Sequence, residues 1–227
     1  MPLKKLLGAA LLAGLFASGV TVAFHWFFTE PVIDRAVEIE ARSADHVEEP
    51  VVSRPMQKFG LVVGFVLYGL AWGALLGSLA YALAPQLAGK GKEYFLLAVV
   101  LGWSVALFPL LKYPANPPGV GEAATIGYRQ ELFLAAIALS LVGMLAALAA
   151  RQRLWRAGRR TAALIGAAYA AYLVVIYAAL PQNPDPVKAD GEMVFHFRLL
   201  SFAGQVLFWT ALGGAFSALA RLKSARM

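Results

Sequence analysis

The sequence predicts an all-α fold: a polytopic membrane helical bundle of about six transmembrane helices, forming one integral-membrane domain over residues 1–227. Three observations predict it. The chain is 60% hydrophobic with a mean hydropathy of +0.66, above the usual apolar share of a soluble domain. Six apolar runs approach or reach the roughly 20 residues that cross a hydrocarbon core of about 30 Å. They cover 6–28, 58–84, 94–112, 131–150, 161–180 and 199–220. The basic residues fall in the short connectors between those runs, a membrane-topology pattern and not a nucleic-acid footprint, despite the net charge of +7.

The first run begins after Lys4 and Lys5 and passes small residues at Ala17 and Ser18, as a secretory signal would. It then continues through Val20–Phe28 and ends in His25-Trp26-Phe27-Phe28, an interfacial aromatic belt. It is therefore expected to be retained as a span. The connector that follows, Thr29–Lys58, is the longest. Pro31 suits the first turn of a helix and Glu30 its positive dipole end. Glu30, Asp34 and Glu38 then share one face at i, i+4 and i+8, beside an apolar stripe of Ile33 and Val37. This predicts a short amphipathic helix at the membrane surface. Its carboxylate stripe has two readings, a solvated face or a cation-collecting surface, to which His46, Glu48 and Glu49 add.

The second run carries Gly69, Gly73 and Gly77 four apart on one face, with Gly60 and Gly64 before them. Small residues at this spacing let helix backbones approach closely in lipid. Close packing is the plain reading; a face along a narrow pathway is the sharper one. The third run ends in Lys112-Tyr-Pro-Ala-Asn-Pro-Pro118, which cannot continue a helix because each Pro lacks an N–H and clashes with the preceding turn. Asn116 and Pro117 thus stand in a stiff loop at a helix mouth. The exit of the fifth run, Leu180-Pro-Gln-Asn-Pro-Asp-Pro186, repeats the order Pro-x-Asn-Pro, either as a simple helix stop or as a trace of repeated units.

Charge sets the orientation. Lys4, Lys5, Lys90, Lys92, Arg151, Arg153, Arg156, Arg159, Arg160, Arg221, Lys223 and Arg226 lie on one side with a single acid, Glu93. The other side holds the remaining eight basic residues and twelve acids. The positive-inside rule makes the first side, and both termini, cytoplasmic, which an even number of spans satisfies.

The unusual chemistry is then on the outer side. Arg54, Arg129 and Arg198 precede the second, fourth and sixth runs, with Gln205 two turns into the last. Helix N-termini carry partial positive charge, so these residues favour anions unless carboxylates such as Glu30, Asp34, Glu131 or Asp185 pair with them. His25, His46 and His196 are also outer, as membrane anchors or as metal ligands, or in a remoter reading as axial haem ligands. There is no Cys, hence no thiolate site and no covalent haem. The apolar runs hold almost no Asp or Glu, and no P-loop, His-Glu-x-x-His pair or nucleophile elbow is present. The expectation is a protein that is not an enzyme and keeps no permanent cofactor.

Several segments together resemble the CbtA family, proposed cobalt transporter subunits of bacteria. They are Glu30-Pro-Val-Ile-Asp-Arg-Ala36, Val52-Ser-Arg-Pro-Met-Gln57 with Gly60, Lys112–Gly121 with Thr125 and Arg129, and Phe197-Arg-Leu-Leu-Ser201 with Gln205 and Trp209. The resemblance implies a multi-pass protein of the bacterial inner membrane, with cobalt as substrate and a small single-span CbtB-like subunit as partner. Membrane lipid is the other expected partner, and self-association is left open. The candidate metal set is His25, Glu30, Asp34 and His196; the candidate pathway or loop set is Asn116, Pro117, Arg129, Arg54, Arg198 and Gln205. A non-transporting membrane scaffold, or an anion or organic-solute permease using the outer arginines, are the alternatives.

Overall fold

In the computed structural model of this chain, residues 2–43, 52–84, 87, 91–154, 158–185 and 190–224 are described. His46, Glu48 and Glu49 lie outside them, as do Lys90, Arg156, Pro186 and Arg226. The described secondary structure is entirely helical. Eight α-helices run in order: α1 Leu3–Phe24, α2 Glu30–Ser43, α3 Arg54–Ala82, α4 Gly91–Gly102, α5 Phe108–Lys112, α6 Ile126–Arg153, α7 Gly158–Ala179 and α8 Gly191–Ser224. Among the described residues, six helical stretches are long and apolar enough to cross a membrane: Leu3–Arg42, Arg54–Ala82, Gly91–Lys112, Ala123–Arg153, Gly158–Ala179 and Gly191–Leu222.

The first stretch differs from expectation. The amphipathic helix is present as α2, but it does not start afresh at Pro31: α1 and α2 are continuous through a π-helical turn, His25–Thr29. A second π turn, Trp103–Leu107, joins α4 to α5, and here too a proline follows two residues later, Pro109. The physical reason is shared. A proline within a helix removes an N–H and pushes its ring against the carbonyl four residues back. Widening the turn just before it moves that carbonyl aside. The last free N–H ahead of each proline reaches five residues back instead, Glu30 to His25 and Phe108 to Trp103. Hydropathy reports apolar length and not hydrogen-bond register, so it marks the span and misses the turn.

The chain forms two compact units. The first holds Met1–Val99, Asn116–Val120 and Ala189–Met227. In it α1 packs most extensively on α3 and then on α8. Leu6, Ala9, Ala10, Ala13 and Ala17, a stripe of helical period, are fully buried. Gly69, Gly73 and Gly77 of α3 face this stripe. A Cβ at Gly73 would stand 2.6 Å from the carbonyl oxygen of Ala10, and one at Gly77 2.9 Å from the Ala10 Cβ. At Gly69 it would run into Ser18 and the backbone of Gly14. Ser18 closes the contact by donating to the carbonyls of Gly14 and Phe65 at 2.9 and 2.5 Å. Aromatic rings fill the α3–α8 side, with Tyr68 against Phe208 and Trp72 against Trp209.

The second unit holds Val100–Ala115 and Gly121–Lys188, with α6 packed on α7 and on α5. Ser104, within the second π turn, meets the Tyr169 hydroxyl at 2.8 Å, and Tyr172 donates to the Leu139 carbonyl at 3.0 Å. Gly143 leaves room for both tyrosine rings. Buried hydroxyls in a span need such partners, because lipid offers none.

Candidate functional site

In the first unit the π turn gathers three polar side chains on the buried side of the helix. His25, Thr29 and Glu30 are 9%, 4% and 6% exposed. One π turn separates His25 from Glu30, so both fall on the same face. His25 Nδ1 and Thr29 Oγ1 share a hydrogen bond of 2.8 Å. The imidazole lies against Gly204 of α8, which has no Cβ to obstruct it, and stacks on Phe65 of α3.

The carboxylates above this turn are already engaged. Arg54 Nη2 donates to Glu30 Oε2 and to Asp34 Oδ1, both at 2.6 Å; its Nε reaches Asp34 Oδ1 at 2.9 Å and its Nη1 reaches Gln57 Oε1 at 2.6 Å. Lys58 Nζ binds Asp34 Oδ2 at 2.9 Å. Two carboxylates and two cations thus cancel in formal charge and fasten α2 to the first turn of α3. The hydrogen bond from Lys58 is the largest cause that holds the Asp34 carboxyl below its ordinary range; burial opposes it, and the hydrogen bonds and charge of Arg54 and the charge of Lys58 add to the lowering. Among the described residues no three His, Asp or Glu side chains come together as a metal-holding group. His25, Glu30 and Asp34 share one end of one helix, whereas His196 is an exposed residue of α8.

Asn116 and Arg198 meet. Arg198 Nη2 donates to Asn116 Oδ1 at 2.8 Å. The next loop turn is completed by Gly119 at φ +74°, where the backbone passes close to Glu40 of α2 and a side chain would be strained. Pro117 is buried in this loop. Gln205 accepts a hydrogen bond from the Tyr68 hydroxyl at 3.1 Å, and the pair lines a cavity of about 250 Å³ with Gly60, Leu61, Gly64 and Phe65.

Arg129 belongs to the second unit. Its Nε lies 3.2 Å from Asp185 Oδ2, a carboxylate whose side chain is only 3% exposed. Asp185 also accepts from Thr125 Oγ1 at 2.7 Å and from the Glu122 N–H at 3.0 Å. Gly121, at φ +107°, lets the backbone pass beneath the Arg129 and Asp185 side chains. Asn183 Oδ1 in turn accepts the Asp185 N–H at 3.1 Å. The two Pro-x-Asn-Pro loops therefore use their amides differently: Asn116 takes a guanidinium, Asn183 turns its own backbone.

Sequence reasoning named acids as conditional partners of the outer arginines, and two of the three arginines have them. It missed the Asn116–Arg198 contact, which joins residues 82 apart. It also missed the burial of Thr29, whose only sequence signal is its place four residues after His25.

The sequence model of one family, described as probable cobalt transporter subunit (CbtA), matches residues 3–221. No curated protein and no solved structure is significantly similar to the chain.

Proposed function

Because this chain belongs to the CbtA family of probable cobalt transporter subunits, we propose that it is the multi-pass membrane subunit of a bacterial cobalt uptake system and that the ion gathers at the junction of α1 and α2. The observation that carries this reading is the π turn, which puts an imidazole, a hydroxyl and a carboxylate on one buried face beside a second carboxylate. Divalent ions of borderline hardness take carboxylate and imidazole ligands. Arg54 pairs with Glu30 and Asp34, and Lys58 with Asp34, while no ion is present. An arriving cation exchanges with them, so no carboxylate is left uncompensated in the apolar surroundings.

The spans carry almost no carboxylate and the sequence no nucleotide-binding loop, so the driving force comes from a partner or from the ion gradient itself. A small single-span subunit is the expected partner. The positive-inside rule favours the inner membrane topology with both termini cytoplasmic and the α1–α2 junction outside.

The test is cobalt accumulation by cells producing the chain with its partner subunit. His25→Ala combined with Glu30→Gln is expected to lower accumulation at least tenfold at equal protein level. Undiminished accumulation at that protein level would overturn the site. The scaffold reading is favoured by the complete ion pairing of Glu30 and Asp34; it requires that accumulation be unchanged when the partner is produced without this chain.

A further inference from the structure

Three arginines stand at span starts on the same expected side, and their surroundings differ. Arg54 is held by two carboxylates and Arg129 by one. Arg198 has an amide oxygen, that of Asn116. Its Nε is sealed from solvent and makes no hydrogen bond. A half-buried guanidinium with no anionic partner among the described residues is costly, since an amide dipole does not neutralise the charge and an enclosed N–H loses its water without replacement. Arginine presents its donors as a planar fork matched to two oxygens of a phosphate or carboxylate. Here one prong is fastened by Asn116 and another remains unsatisfied.

The placement narrows the ligand. Arg198 lies on α8 immediately before the run 199–220, at the depth where the apolar span meets the headgroup region. Asn116 comes from a loop bracketed by Pro114, Pro117 and Pro118, so its amide is held with little loss of chain freedom. Snorkelling accounts for an arginine whose tip is free in water, but not for one whose Nε is enclosed and whose tip is tied to a second segment.

The geometry points to Arg198 and Asn116 as the seat of a phosphate-type oxyanion, supplied by a phospholipid headgroup or by free phosphate. The bound oxyanion neutralises the guanidinium charge and clamps the Asn116 loop to α8. The site is separate from the carboxylate pairs of Arg54 and does not rest on the cobalt reading.

The experiment uses the full chain, purified in a neutral detergent, with thermal unfolding as the readout. Three additives are compared: phosphatidylglycerol, phosphatidylcholine as a lipid with the same phosphate but no net charge, and inorganic phosphate against chloride at equal ionic strength. A bound ligand raises the midpoint in proportion to the logarithm of its concentration. The expected result is a concentration-dependent rise with a phospholipid or with inorganic phosphate that is lost in Arg198→Gln and reduced in Asn116→Ala. A rise with lipid alone assigns the headgroup; a rise with inorganic phosphate assigns the free oxyanion. Equal rises in wild type and both variants, or none in the wild type, overturn the proposal. Arg198→Lys, which keeps the charge and loses the fork, covers the case in which Arg198→Gln does not fold: its apparent ligand affinity is expected to fall about tenfold, and an unchanged affinity also overturns the proposal.

Discussion

Gly73→Ala tests whether α1 and α3 are held together by backbone proximity. The new Cβ would stand 2.6 Å from the Ala10 carbonyl oxygen, 3.1 Å from the Ala10 carbonyl carbon and 3.2 Å from the Leu11 Cα, whereas ordinary contact begins at 3.4 Å. All three obstacles are backbone, so no side chain can swing away, and α1 must retreat by roughly 0.8 Å at this point. A gap of that size forfeits about a quarter to a half of each dispersion contact along the seam. Overpacking of this kind costs about 1–3 kcal/mol, while removing a glycine from a helix returns up to about 1 kcal/mol. The net expectation is a loss of about 1–2 kcal/mol. Gly64→Ala, on the same helix with nothing within 4 Å of its Cβ, supplies the control. It keeps the propensity gain and meets no obstacle. The two variants should differ by about 2 kcal/mol, or roughly 4–8 °C in unfolding midpoint. Thermal unfolding of the purified proteins in one detergent measures it. If Gly73→Ala unfolds no earlier than Gly64→Ala, the account of the α1–α3 seam is wrong.

Arg54→Gln leaves the buried Glu30 carboxylate without its cation and is expected to destabilise by about 1–3 kcal/mol; adding Glu30→Gln should recover part of this in a double-mutant cycle. The Asp34 carboxyl is held below its ordinary range by Lys58 and Arg54, so its contribution is present above its unfolded pKa and is lost as pH falls through the lower folded one. Amide protection in α2, taken relative to the intrinsic exchange rate at each pH, should therefore fall on acidification below about pH 4, and Asp34→Asn should show the lower protection already at neutral pH with less change on acidification. Asp185→Ala removes the acceptor of Thr125 and of the Glu122 N–H together with the ion-pair partner of Arg129, and should cost about 2–4 kcal/mol. Limited proteolysis should then cut residues 113–125 faster, and an unchanged cutting rate would remove Asp185 as the anchor of that segment.

The spans were legible because hydrocarbon thickness and apolar run length are directly linked. Their ends were less so. The run 199–220 belongs to a helix that starts at Gly191, since Glu192, His196 and Arg198 are polar and hydropathy stops at polarity while the helix does not. Gly69, Gly73 and Gly77 were readable as a packing face, but not which helix they would meet; Ala10, about sixty residues earlier, carries no signal of its own. For the candidate site, the sequence showed which charges stand near span ends. The pairing of Arg54 with Glu30 and Asp34, and the default of Arg198 to an amide, depend on how helices from distant parts of the chain dock. The π turns were illegible because Pro31 was read as the first turn of a new helix and Pro109 lay unremarked within the apolar run 94–112. In these two places the backbone accommodates the proline with one extra residue in the turn.

That extra residue has a consequence for how the chain can change length. Each residue of an α-helix advances the side-chain direction by about 100°. The turn at His25–Thr29 absorbs one residue beyond that advance, so the acidic half of the helix keeps its aim at Arg54 and Lys58. Deleting one residue between Phe24 and Glu30 would close the wide turn to an ordinary one and leave Glu30 and Asp34 on nearly the same face. The cost is steric: in a regular turn the proline ring meets the carbonyl four residues back and the helix must kink. The extra residue therefore spares the proline and does not set the direction of the acids. The same holds for Trp103–Leu107 ahead of Pro109.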